Sequence, residues 1–87
     1  MTADPLFIEV RCNESTMRGA NPHLPYSTDE IVREAVRAHV AGAAIIHWHG
    51  RDPDTGGPDN SVETYRAAHE GIRGATDLIT KPTLGYI

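Results

Sequence analysis

Two histidines one residue apart, His47 and His49, are the side chains of this sequence best placed for chemistry. In an extended segment, alternation puts both imidazoles on one face and sends Trp48 to the other. Neutral imidazole is a preferred zinc ligand, so the pair is a candidate metal site. The same spacing also fits two hydrogen-bonded core histidines, and spacing alone does not separate the readings. Arg51 and Asp52 follow after Gly50 and could brace the loop behind the histidines or form an ordinary surface ion pair.

Further along, Asp52, Asp54, Gly57 and Glu63 fall at positions 1, 3, 6 and 12 of a calcium loop. The segment fails as such a loop in three ways. It follows an apolar extended run instead of a helix, Pro58 takes position 7, and Asp59 occupies a place normally apolar. Cys12 reads as a small packing residue in preference to a catalytic thiol. His23 and His39 read as surface or helix-face residues, and His69 as part of a helix packing face.

The elements that would position these groups alternate along the chain. Leu6 to Cys12 is short, apolar and β-branched, a first strand. Ser27-Thr28-Asp29-Glu30 is a capping box that opens a helix. That helix carries Ile31, Val32, Ala35, Val36 and Val40 on one stripe and stops at Gly42. Ala43 to His49 is a continuous apolar run, as expected of a strand covered on both faces in a parallel sheet. After turn-forming residues 51 to 60, Asn60 and Glu63 cap a second helix whose face carries Val62, Tyr65, His69 and Ile72, with Gly74 as its stop. Asp77 to Thr83 reads as a third strand, its last rungs weakened by Pro82.

A β-α-β-α-β order with connections of about 30 residues implies a right-handed parallel sheet with both helices on one side. Three such strands leave two edges and one face uncovered. The expected fold class is therefore α/β, residues 1–87 forming a single partial domain: the first three strands and two helices of a TIM (β/α)8 barrel. The ends of parallel strands are where such barrels place catalytic groups, and His47 and His49 end the second. Glu14, just past the first strand, falls on the same rim and could ligate or hold a cation; its bland reading is a solvated loop carboxylate. Thr83 and Gly85 follow the third strand, where a hydroxyl and a backbone N–H could hold a carboxylate or enolate oxygen, or form an ordinary turn.

Composition narrows the function class. Hydrophobic residues make up 39% and charged residues 23%, which argues against disorder. Twelve acidic side chains outnumber eight scattered Lys and Arg, for a net charge of −4, which argues against nucleic-acid binding. No apolar run approaches a membrane span and no signal-peptide pattern opens the chain, so a cytoplasmic protein with no membrane partner is expected. The lone Cys12 excludes an internal disulfide.

Several segments resemble one family. Asn21-Pro22-His23-Leu24-Pro25-Tyr26, followed by Ser27-Thr28-Asp29-Glu30-Ile31, is similar to the loop and first helix of the β-keto acid cleavage enzymes. Ala41-Gly42-Ala43 through His47-Trp48-His49-Gly50-Arg51-Asp52-Pro53 is similar to their A-G-A…H-x-H-x-R-D-P signature. The resemblance runs from Leu6 to Gly85, about the first third of a family member.

It implies a (β/α)8 barrel that holds one zinc ion through His47, His49 and a later glutamate, and a homo-oligomer at full length. It also implies a retro-Claisen reaction with acetyl-CoA as co-substrate, in which a β-keto acid and acetyl-CoA become acetoacetate and a new CoA thioester. Zinc would polarise the keto oxygen as a Lewis acid. Glu14 lies close to a family glutamate that holds the ammonium of amino-bearing substrates, although the loop here is one residue shorter. Pro82-Thr83-Leu84-Gly85 stands in place of a Ser-Thr-Gly-Gly-like turn, which removes a serine hydroxyl and implies a different substrate preference. Catalytic arginine and aspartate residues of later strands are not in this sequence, so the 87 residues alone are expected to be inactive. Two other readings are an amidohydrolase-type metal-dependent hydrolase, whose H-x-H usually ends the first strand, and a non-catalytic truncated fragment.

Overall fold

The apolar run before the histidines becomes the middle strand of a small α/β structure. The computed structural model describes residues 6–13 and 17–82. Its elements are β1 (Glu9–Arg11), α1 (Thr28–Val40), β2 (Ile45–Trp48), α2 (Val62–Ala75) and β3 (Ile79–Pro82). The sheet order is β1-β2-β3 and both pairings are parallel, with Arg11 opposite His47 and His47 opposite Lys81. The strands are shorter than the apolar runs suggest, because the ladder frays into single hydrogen bonds at its ends. Ala44 N–H and Ile45 N–H both donate to Ile8 O below the ladder, and Cys12 N–H donates to His47 O above it.

Alternation divides the sheet into two chemically distinct faces. Ile46 and Trp48 of β2 point to one side and meet Ile31, Ala35 and Ala38 of α1 and Ala68 and Ile72 of α2, with Leu78 beside them. Both helices thus cover the same face, as the connection lengths imply. Trp48 is fully buried and its ring lies 4.9 Å from that of Tyr65. The opposite face carries Glu9, Arg11, His47, His49 and Lys81.

Helix α1 starts at the expected capping box. Glu30 N–H donates to Ser27 Oγ at 3.2 Å and Ser27 N–H to Glu30 Oε1 at 2.9 Å. The N–H groups of Ser27 and Tyr26, both donating to Oε1, hold the Glu30 carboxyl below the usual carboxylate range. The helix ends in a Schellman turn: Gly42 N–H donates to His39 O, Ala43 N–H to Ala38 O, and Gly42 has φ +103°. Its buried stripe is Ile31, Ala35 and Ala38, whereas Val40 is largely exposed.

Three expectations for α2 are corrected. Its cap is Ser61, not Asn60: the Ser61 hydroxyl accepts from Thr64 N–H, while Asn60 Oδ1 accepts from the Tyr65 hydroxyl. The helix passes through Gly74 and stops at Thr76, whose N–H and hydroxyl both donate to Ile72 O. The packed face is rotated toward Ala68, leaving Val62 and His69 exposed, with His69 Nδ1 at 2.7 Å from Thr80 Oγ1.

The turn after β2 closes on itself. Asp52 N–H donates to Gly57 O, Gly56 N–H to Asp52 O, and Arg51 bridges Pro58 as a short antiparallel pair. Asp52 Oδ1 accepts from the N–H groups of Asp54 and Thr55, which lowers its pKa and occupies it within the turn. Cys12 packs against the core as expected, and burial pushes its thiol up to about 12. The neutral thiol is a poor nucleophile.

Two outcomes follow from this packing. Gly56 has φ +76°, and a Cβ there would run into the Tyr26 ring. Gly56→Ala is expected to cost about 1–3 kcal/mol and lower Tm by at least ~4 °C in thermal circular dichroism; an unchanged Tm would contradict the packing. Cys12 is expected to resist iodoacetamide at pH 8 in the native protein and to react readily in urea, as mass spectrometry would read; equal rates would refute its burial.

Candidate metal centre

His47 is the third residue of β2 and His49 follows directly beyond the strand. Alternation brings both rings to the face away from the helices, and their Nε2 atoms stand 3.3 Å apart with the rings at 67°. His47 is 9% exposed and His49 6%. Two imidazole nitrogens bound at 2.0–2.1 Å to one tetrahedral ion stand about 3.3–3.4 Å apart. The donor set and its spacing therefore suit a divalent transition ion, and the same distance is also within reach of a long N–H···N hydrogen bond. Among the described residues, no cluster of three or more His, Cys, Asp or Glu forms a metal shell.

Asn13 fixes where His49 lies. It is 1% exposed, and its amide substitutes for the next rung of the β1–β2 ladder. Asn13 Oδ1 accepts from His49 N–H at 2.8 Å, and Nδ2 donates to His49 O at 2.9 Å and to Pro25 O at 3.2 Å. Arg51 secures Asn13 in turn, its Nη1 donating to Asn13 O at 2.9 Å. The guanidinium is buried, donates from Nε to Gly56 O, and lies 4.7 Å from the centre of the Tyr26 ring. Arg51 thus braces the loop from inside, while Asp52 caps its own turn. Gly50, between His49 and Arg51, leaves no room for a side chain, since a Cβ would strike Asp59 O and Tyr65.

On the histidine face, Glu9 of β1 reaches across the sheet. One of its carboxylate oxygens, Oε2, is 3.8 Å from His47 Nδ1 and 3.9 Å from Arg11 Nε; the other, Oε1, is 3.4 Å from Lys81 Nζ. Neither Glu9 nor Asn13 stands out by residue type in the sequence. Glu9 and Arg11 alternate with Val10 and Cys12, and that period of two was the signal for a charged face.

Of the other candidates, Glu14, Thr83 and Gly85 lie outside the described residues. His23 is exposed, and His39 Nδ1 is 3.3 Å from Asp77 Oδ1 at the bottom of the sheet, away from the pair. A cleft of about 620 Å³ between Pro22, Pro25 and α1 contains neither paired histidine, and its Glu30 and Glu34 are already engaged by Arg18 and Arg37.

This geometry can be set beside known proteins. The sequence profile described as beta-keto acid cleavage enzyme matches residues 5–87. The chain is 40% identical over 75 residues to the 3-keto-5-aminohexanoate cleavage enzyme of Acetoanaerobium sticklandii, covering 85% of this chain and 27% of that protein. It is 41% identical, with the same coverage, to the enzyme of that name from Fusobacterium nucleatum subsp. nucleatum. It is also 39% identical over 64 residues to the 3-dehydrocarnitine:acetyl-CoA trimethylamine transferase of Rhizobium meliloti, covering 72% of this chain and 21% of that one. The chain thus spans about a quarter of the length of the curated relatives it matches. With a profile match over nearly its whole length, the chain belongs to the beta-keto acid cleavage enzyme family.

Proposed function

We propose that the chain forms the N-terminal part of a zinc-dependent β-keto acid cleavage enzyme, in which His47 and His49 are two ligands of one zinc ion. The 3.3 Å separation of their Nε2 atoms carries this reading, since it is already that of two ligands on a tetrahedral ion. A glutamate from a later strand of the family would add a third ligand. Zinc bound there supplies a Lewis acid for a carbonyl oxygen.

The reaction transfers an acyl group. A β-keto acid R–CO–CH2–COO⁻ and acetyl-CoA become acetoacetate and R–CO–CoA, so the carbon–carbon bond broken in one acid is remade in the other. Relatives whose names specify acetyl-CoA as acceptor support this co-substrate. The residues of this chain serve binding and orientation. Asn13 holds the backbone of His49 in place. Glu14 would meet a cationic substrate group, and the Thr83 hydroxyl with the Gly85 N–H would take a carboxylate or enolate oxygen.

The three strands are, on this reading, the first three of a (β/α)8 barrel with its site at their C-terminal ends. Their spatial order follows chain order. Apolar side chains remain exposed at both flanks of the sheet, Leu6 and Phe7 before β1 and Ile79 on β3. A groove of about 590 Å³ beside α2, lined by Val62, Tyr65, His69 and Pro82 among others, offers a seat for a following element.

Zinc titration of the untagged 87-residue chain against a chromogenic chelator is expected to show binding at least ~10-fold tighter than in His47→Ala/His49→Ala; equal affinities would remove the histidines from the site. The isolated chain is expected to release no acetoacetate from acetyl-CoA and 3-keto-5-aminohexanoate in a coupled assay. Acetoacetate release by this chain would show that the later strands are dispensable.

A further inference from the structure

The face that bears the two histidines is also crossed by one carboxylate, and its two oxygens have different neighbours. Lys81 Nζ, from β3, reaches over β2 to Oε1 of Glu9 at 3.4 Å, while Oε2 is turned toward His47 Nδ1 at 3.8 Å and Arg11 Nε at 3.9 Å. The Glu9 side chain is 25% exposed, against 59% for Lys81 and 65% for Arg11, so the carboxylate is the sheltered member of the group. We infer that Glu9 is a positioning residue for His47: its carboxylate keeps the proton of the neutral imidazole on Nδ1 and so leaves Nε2 as the metal-binding nitrogen. This rests on the reading of His47 as a ligand.

The argument is one of charge and reach. A neutral imidazole carries its proton on one nitrogen only, and an adjacent negative charge favours the tautomer that points the N–H toward it. Nδ1 is the ring nitrogen nearest Glu9, and Nε2 is the one beside His49. Bringing 3.8 Å to hydrogen-bond length needs about 1 Å of movement, within the freedom of a glutamate side chain. Arg11, on the same strand, and Lys81, from β3, flank the carboxylate and restrain that swing. Carboxylates in this relation to a metal-bound histidine orient the ring and raise its basicity.

The test uses the 15N-labelled 87-residue chain and long-range 1H–15N correlations of the His47 ring, without metal, in wild type, Glu9→Gln and Glu9→Ala. Wild type is expected to be mainly Nδ1–H, and Glu9→Ala to shift toward Nε2–H. Glu9→Gln, which keeps an acceptor oxygen, should fall between them. Zinc affinity should drop about 10- to 100-fold in Glu9→Ala and less in Glu9→Gln. Unchanged backbone amide spectra would confirm that each variant is folded. A His47 tautomer unaffected in Glu9→Ala overturns the inference, as does a zinc affinity that matches wild type. If wild type and His47→Ala/His49→Ala bind zinc equally, the ligand reading fails, and the tautomer shift still decides what Glu9 does to the ring.

Discussion

A guanidinium withdrawn from water costs several kcal/mol unless its donors find acceptors, and Arg51 is 1% exposed. Its position therefore dictates much around it. Nε and Nη1 need carbonyl oxygens, which Gly56 and Asn13 present, and Nη2 meets the Met17 sulfur at 3.0 Å. Its flat side stacks on Tyr26. These four partners come from three segments, so one buried cation ties the end of β1, the loop before α1 and the turn after β2 into a single body. Lysine could not replace it, since a point charge has neither the planar fork nor the stacking face.

The network extends in both directions from there. Tyr26 lies between two guanidiniums, Arg51 at 4.7 Å and Arg18 at 4.1 Å from its ring centre. Arg18 grips both oxygens of Glu30, the residue that closes the capping box of α1. At the other end, Asn13 passes the constraint to the backbone of His49. The start of a surface helix and the position of a buried imidazole are thus joined through an unbroken series of polar contacts. The Asn-Pro-His-Leu-Pro-Tyr segment takes part through both backbone and side chain: Leu24 and Pro25 lend their carbonyl oxygens to Arg18 and Asn13, and Tyr26 supplies the ring.

Much of the fold was legible because it rests on local rules. The Ser27 box, the Gly42 stop, the apolar β2 run and the division of His47 and His49 from Trp48 all follow from spacing along the chain. The errors arose where two local signals competed. Asn60 and Ser61 are both good caps, and in the fold Asn60 Oδ1 is taken by the Tyr65 hydroxyl while Ser61 caps the helix. Gly74 looks like a terminator, yet Thr76 takes the last carbonyl. His69 falls at a helical spacing from Tyr65, but small Ala68 permits the closer approach and wins the buried side. For Glu9 the period of two marked only a polar face; its partners and those of Asn13 lie across a strand pairing, and register is not written in either strand alone.

Trp48 is the only tryptophan of the chain, buried between the helices, with no hydrogen-bond partner for its indole N–H among the described residues. It is bonded through the backbone to the two histidines on either side. Any displacement of their main chain is therefore passed to a single indole held in the apolar core. The protein carries its own optical probe: emission from one fluorophore, with no second tryptophan to obscure it, reads the state of the strand whose opposite face bears the imidazoles.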